Sequence, residues 1–212
     1  MDGEPTVLDG FLVLEGLDGA GTTTQLALAA EKLASSGRPH FCTSEPTSGP
    51  VGRQVRDILT RRLEVEPRTL ALLFAADRTE HLFEPGRGIL DRRRRGELVI
   101  SDRYLFSSLA YQSLACEFDF VLALNRDFPL PRHVVFLDTP VTESQRRLAA
   151  RGGARQELFD GIDLQDRIRA NYHRSFKLFD SAGMELHVLD GREPPDRLFG
   201  KFWKIIESVP ML

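Results

Sequence analysis

The stretch GLDGAGTTT, Gly16 to Thr24, has the spacing of a phosphate-binding loop: the pattern G-x-x-x-x-G-K-[ST] fits at Gly16, Gly21 and Thr23. Glycines let a backbone turn tightly and present N–H groups to phosphate oxygens. A helix beginning there adds its positive dipole end. Thr23 stands where the Mg²⁺-binding hydroxyl belongs. Where the pattern demands lysine, the chain has Thr22. That lysine brings positive charge to the β- and γ-phosphates of ATP. Losing an electrostatic donor of this kind costs roughly 10²–10³ in rate. If phosphoryl transfer survives, an arginine must supply the charge. Arg151 and Arg155 flank Gly152-Gly153 in RGGAR. They form either a mobile lid closing on phosphates or a solvated basic loop after a helix end.

Two further groupings carry chemistry. In VISDRY, Asp102 and Arg103 end a short apolar run. The carboxylate could hold a Mg²⁺-bound water or orient an acceptor, and the guanidinium could fork onto a phosphate. A structural Asp–Arg pair explains the same residues equally well. In LLFAADR, Phe74 and Arg78 are four apart and share a helical face. They suit stacking on a base and bonding its edge, or simply a core ring beside a surface arginine. Arg92 to Arg95 precede Gly96, where positive charge suits a helix end, so the run reads as a solvated terminus. Trp203 reads as core or interface.

The elements that must position these groups alternate. Apolar runs at Phe11–Leu14, His40–Ser44, Leu98–Ile100, His133–Leu137 and Glu185–Leu189 are expected strands. Helical patterns run from Thr23 to Ser36, Val51 to Arg62, Pro67 to about Arg94, Val141 to Arg151, Asp163 to Ser181 and Pro195 to Glu207, with shorter ones from Phe106 and Phe118. Pro85 and its neighbouring glycines should kink or break the third of these. This alternation predicts an α/β fold, a parallel sheet with helices on both faces. Ligands then sit beyond the carboxyl ends of the strands. Glu15 to Thr24, Glu45-Pro46, Asp102 to Tyr104 and Asp138 all follow strands.

The 212 residues predict one domain, with a lid segment near 150–162. A net charge of −3 argues against a nucleic-acid polymer or an acidic membrane surface as partner. No apolar run approaches the ~18 residues of a membrane span, and no signal peptide is expected. Cys42 and Cys116 lie in no metal-ligand spacing, which predicts reduced thiols and a cytoplasmic protein.

The segments FLVLEGLDGAGTTTQ, SEPTSGPVGRQVRDIL, LLFAADRTEH, LVISDRYLFSSLAYQ and HVVFLDTPVTESQRRLAARG, in that order, resemble the thymidylate kinase family over roughly residues 9 to 190. The DRY-x-x-SS-x-AYQ signature and the LLFAADR helix are far more specific than the loop alone. The resemblance implies a three-layer P-loop NTPase fold with about five parallel strands. It implies ATP and Mg²⁺, transfer of the γ-phosphoryl to dTMP, and a homodimer packed through long helices. Gly16, Leu17, Asp18, Gly19, Ala20, Gly21, Thr22, Thr23 and Thr24 would form the ATP-phosphate loop, with Thr23 and Asp102 toward the metal. Asp18, Arg103, Arg151 and Arg155 would serve catalysis, Asp18 near the transferred phosphoryl. Phe74 would stack on thymine and Arg78 meet the base edge; Arg103 would bind the dTMP phosphate. Ser107, Ser108, Tyr111 and Gln112 would line the nucleoside pocket.

Gly19 stands in the loop segment where one branch of the family has arginine, so the resemblance is to the branch with a lid arginine. The chain departs from the family at Thr22 and at EPTSGP, which replaces an EPGGT-like loop. Three readings follow: a dTMP kinase with an altered loop, a non-catalytic nucleotide-binding protein, or a kinase for another nucleotide.

Overall fold

A computed structural model describes residues 6–150, 159 and 162–210. Five strands form one sheet: β1 (Val7–Gly16), β2 (His40–Ser44), β3 (Leu98–Asp102), β4 (Leu130–Asp138) and β5 (Glu185–Asp190). Their spatial order is β2-β3-β1-β4-β5, and every pairing is parallel. The helices are α1 (Thr22–Ser36), α2 (Pro50–Leu59), α3 (Pro67–Phe83), α4 (Ile89–Arg94), α5 (Leu105–Tyr111), α6 (Phe118–Asn125), α7 (Val141–Ala150), α8 (Ile162–Leu178) and α9 (Pro195–Ser208). A single 3-10 turn, Gln112–Leu114, follows α5. None of the described helices is long and apolar enough to cross a membrane.

The central strand explains why the sheet needs two helical layers. Side chains alternate across a strand. In β1, Phe11 and Val13 pack with Phe106, Leu109, Tyr172 and Phe176 of α5 and α8. Leu12 and Leu14 turn the other way, toward Ala29 and Leu33 of α1 and Phe202 and Ile206 of α9. Both faces are dry, so the strand reads as a continuous apolar run.

Several elements differ from expectation in extent. β1 and β4 run beyond their apolar cores, since pairing continues to Gly16 opposite Leu137. The expected helix over Pro67 to Arg94 is two helices. The break at Glu84 to Gly88 is held by the Asp91 carboxylate, which accepts the Gly86 N–H at 2.6 Å. Trp203 donates to Glu207 (2.6 Å) and carries Lys32 over its ring, a packing role. Arg92 and Arg95 pair with Glu97, and Arg94 with Asp91, as befits a solvated helix end.

The carboxyl end of β1 is fixed by an unusual group. Glu15 is fully buried. Its carboxylate accepts the backbone N–H groups of Tyr104 (3.0 Å) and Ser107 (3.3 Å), the Ser107 hydroxyl (2.6 Å) and the Tyr172 hydroxyl (3.0 Å). One side chain thus ties β1 to the loop after β3, to α5 and to α8. Burial pushes the carboxyl up to about 7, with the donors from Ser107 and Tyr172 and the charge of Arg103 pulling the other way. Burial likewise holds the Tyr172 phenol well above its ordinary range, so it stays a donor.

The raised value has a definite sign in stability. Between about 4.5 and about 7 the folded chain keeps a proton that the unfolded chain releases. Folding is therefore favoured less as pH rises through that window, by about 3 kcal/mol at most, and the effect is flat above it. Urea unfolding of the wild type and Glu15→Gln over pH 4.5–8 should show this slope in the wild type and its loss in the variant. Parallel profiles would show that Glu15 does not titrate there.

Candidate active site

The carboxyl ends of β1 and β3 open into a cleft of about 860 Å³. The order of strands reverses about β1, so the cleft lies at the topological switch point. The P-loop forms one wall. Gly19 (φ 84°) and Gly21 (φ 104°) are in the left-handed region, where a side chain is disfavoured. A Cβ on Gly19 would also meet the Ser144 carbonyl at 2.6 Å. The loop enters α1 through Gly21 with no side-chain cap and no acidic residue in the first turn. The first N–H groups of the helix therefore face no competing protein anion from its own first turn.

Leu17, Asp18, Gly19, Gly21, Thr22 and Thr23 line the cleft. Gly16 and Ala20 are buried beneath it, and Thr24 is exposed outside its lining. Thr22 is almost wholly buried and brings no charge. Two described arginines bond to the loop. Arg147 of α7, which the sequence reading did not single out, donates to the Ala20 carbonyl (3.2 Å), the Gly191 carbonyl (2.7 Å) and Glu143 (2.7 Å). It clamps the loop to the turn after β5, where Asp190 and Arg192 pair with each other. Arg151 and Arg155 lie outside the described residues.

Arg103 is the other arginine, at the middle of the cleft. Its backbone is left-handed (φ 73°), a strained conformation for a residue with a side chain. The guanidinium meets Asp18 at 2.5 Å, the Gly16 carbonyl at 3.1 Å, the Ser107 hydroxyl at 3.1 Å and the Tyr172 hydroxyl at 3.2 Å. The two hydroxyls that receive Arg103 are those that Glu15 holds. The chain of contacts runs from the buried carboxyl through Ser107 and Tyr172 to Arg103, and on to Asp18 of the P-loop.

Thr23 and Asp102 face each other at the metal side of the loop. The Thr23 hydroxyl donates to Asp102 Oδ2 at 2.7 Å. Asp102 Oδ1 is buried with no hydrogen-bond partner among the described residues. A hydroxyl and a carboxylate beside a phosphate loop form a hard oxygen set that fits Mg²⁺, which keeps waters and takes few protein ligands.

The far wall holds the residues expected to meet a nucleoside. Phe74, Arg78, Ser108, Tyr111 and Gln112 all line it. Tyr111 Oη and Gln112 Oε1 are buried and unpartnered among the described residues. Arg103 approaches the Tyr111 ring, 5.1 Å from its centroid. Phe159, the described residue within the expected lid, meets Tyr111 edge-on at 5.3 Å and anchors the amide of Gln165 through its carbonyl.

Arg78 is not a surface arginine. It is 1% exposed, packed near Tyr104 and Phe128. Its Nε and Nη2 donate to Glu45 (3.0 and 2.6 Å), Nη2 also to Ser108 (3.1 Å), and Nη1 to Asn125. These contacts engage four of the five guanidinium donors, and Arg78 lines the cleft. His81 joins Glu45 from the other side at 3.0 Å. Arg78 and His81 hold the Glu45 carboxyl below its ordinary range against the opposing effect of burial, so it stays ionised. Next door, Asp77 accepts the Thr47 N–H (2.7 Å) and hydroxyl (2.5 Å). The pair Asp77-Arg78 thus fixes the EPTSGP loop, and Arg78 also lines the pocket. Arg56 of α2 also lines the cleft and donates to the Pro46 carbonyl.

Sequence reasoning missed Glu15 as an anchor, and with it Tyr172, Arg147, Asp77 and Arg56. Glu15 carried a readable signal, a carboxylate ending an apolar strand that must be buried. Tyr172 carried none, since it reaches Glu15 across 157 positions.

Comparison with known proteins agrees with this geometry. The family model described as Thymidylate kinase matches residues 14–198. A Treponema pallidum protein bearing the thymidylate kinase name is 42% identical over 171 residues, 81% of each chain. The "Probable thymidylate kinase" of Methanococcus maripaludis is 33% identical over 209 residues, 96% of this chain and 98% of its own. The thymidylate kinase structure from Candida albicans superposes with a TM-score of 0.77 over 93% of this chain and 91% of its own, at 22% identity, which supports the fold. A matched family model over most of the chain and relatives of this identity place the protein in the thymidylate kinase family, nucleoside monophosphate kinases of the phosphotransferase class.

Proposed function

We propose that the cleft transfers the γ-phosphoryl group of ATP to the phosphate of dTMP, giving dTDP and ADP. One observation carries the reading. A single cleft holds the P-loop on one wall and Phe74, Arg78, Tyr111 and Gln112 on the other, with Arg103 between them. The transferred group passes from the β-phosphate oxygen of ATP to a dTMP phosphate oxygen. Such transfer needs positioning and charge stabilisation more than covalent help.

Each wall has a role in this. The P-loop N–H groups hold the ATP phosphates. Thr23 and Asp102 would hold Mg²⁺, which when bound neutralises charge on the β- and γ-phosphates. Arg103 receives the acceptor phosphate, its fork held in place by Ser107 and Tyr172. Asp18 sits at its other side and keeps Arg103 oriented toward the loop. Phe74 offers the thymine a flat apolar face, while Gln112 and the remaining Arg78 hydrogen offer polar contacts at its edge. Arg151 and Arg155 of the lid segment supply the charge that Thr22 lacks. Arg147 holds the loop for them.

The reading extends to assembly. Leu72, Ala76, Thr79 and Phe83 recur at helical spacing on the exposed face of α3, with Leu72 51% and Phe83 53% exposed. This stripe supports a homodimer packed through α3; reduced Cys42 and Cys116 and small nucleotide substrates suit a cytoplasmic enzyme. Light scattering should give a dimer for the wild type and a monomer for Phe83→Glu; a monomeric wild type would contradict the assembly.

Thr22 favours one competing reading, a nucleotide-binding protein without turnover. A coupled assay of dTDP formation from ATP, Mg²⁺ and dTMP separates the two. Steady turnover with dTMP preferred in a nucleotide panel is expected. Absence of turnover at high enzyme concentration, with dTMP still bound in calorimetry, would establish the competitor, and preference for another acceptor would reassign the substrate.

Thr22→Lys tests the charge balance at the loop. It should change kcat and leave dTMP affinity near the wild-type value. The expected direction is a fall, because a lysine would crowd the lid arginines. A rise would show an unfilled place, and an unchanged kcat would show that Thr22 faces no transferring phosphate.

A further inference from the structure

At the amino-terminal end of the sheet, away from the cleft, three metal-ligating side chains converge. β4 and β5 pair with His133 opposite Glu185 and Val135 opposite His187. Glu185 and His187 are two apart on β5 and so share a face. His133 Nδ1 lies 3.2 Å from His187 Nε2 and 3.6 Å from Glu185 Oε2, and those two atoms are 3.9 Å apart. A tetrahedral Zn²⁺ with bonds of about 2.0–2.1 Å keeps its ligand atoms about 3.3–3.4 Å from one another. An ion equidistant from these three donors stands about 2.1 Å from each. That point lies in the plane of the three donors, and a tetrahedral ion with a fourth ligand is reached when Glu185 Oε2 closes on His187 Nε2 by about 0.5 Å, a shift within reach of the exposed Glu185 side chain.

The surroundings suit an ion as well. His133 is buried, and the side chains of His187 and Glu185 are 27% and 58% exposed, which leaves an open side for a water ligand. A cavity of about 370 Å³, bordered by Asp9, Arg132, His133 and Glu185, gives a path of entry. Arg132 is engaged elsewhere, with Asp9 at 2.7 Å and the Gly183 carbonyl at 2.7 Å. A plain hydrogen bond between the two rings accounts for one of the three approaches. It leaves Glu185 directed at the same His133 nitrogen.

We propose that His133, Glu185 and His187 form a binding site for a late first-row divalent ion of the Zn²⁺ class, separate from the phosphoryl-transfer cleft and bracing the edge strand β5 against β4. Two imidazoles and one carboxylate suit such ions better than Mg²⁺.

Co²⁺ is the probe, titrated into the full chain with excess Mg²⁺ present to occupy the Thr23–Asp102 position. The wild type should bind one equivalent with the intense visible bands of four-coordination, displaced by Zn²⁺. His187→Ala and Glu185→Gln, both at partly exposed positions and checked for fold by circular dichroism, should each weaken binding at least about tenfold. Zn²⁺ should raise Tm in the wild type and leave it unchanged in His187→Ala, and dTDP formation by the metal-free variants should match the wild type. No Co²⁺ spectrum and no Zn²⁺ shift in the wild type would overturn the proposal. So would affinities unchanged in both variants.

Discussion

The buried carboxyl of Glu15 is the constraint on which the site depends. It stands where β1 becomes the P-loop, so whatever fixes it also fixes the phosphate loop. Four donors from three other parts of the chain converge on it. Burying a carboxylate is costly, and removing its partners one at a time would leave a charge uncompensated. The result is a compromise in which the group titrates near neutrality. The hydroxyls of Ser107 and Tyr172, fixed by Glu15, in turn fix Arg103. A strained backbone at Arg103 is sustained because the surrounding contacts determine it from several directions.

The opposite wall follows the same plan with a different pair. Glu45 directly follows β2 and meets Arg78 and His81 in a dry environment. Asp77 grips Thr47 in the next loop. Residues that line the nucleoside pocket therefore also hold its frame. This explains how the altered EPTSGP loop is accommodated: Thr47 supplies the N–H and hydroxyl that Asp77 accepts.

Much of this was legible in the sequence, and the reasons are local. The five strands announce themselves as apolar runs because the sheet is covered on both faces. The P-loop glycines follow from spacing, and Asp102 with Arg103 follows from position at a strand end. Phe74 and Arg78 were ambiguous, since helical spacing cannot tell a pocket wall from a core ring with a solvated neighbour; the structure shows that Arg78 is buried and paired. What stayed hidden is non-local. Tyr172 lies on a helix whose pattern gives no hint of Glu15. Arg147 reads as one of two adjacent arginines on α7, and only the fold brings it to Ala20 and Gly191. The His133–Glu185–His187 grouping needs the β4–β5 register, which hydrophobic pattern alone does not set.

The claim that Glu15 organises Arg103 through Ser107 and Tyr172 is tested most directly by steady-state kinetics of Glu15→Gln, with its fold checked by circular dichroism. In that variant kcat/KM for dTMP should fall by about 10²-fold or more, carried chiefly by a raised KM for dTMP, while the KM for ATP changes little. A folded Glu15→Gln enzyme with wild-type kcat/KM for dTMP would contradict it.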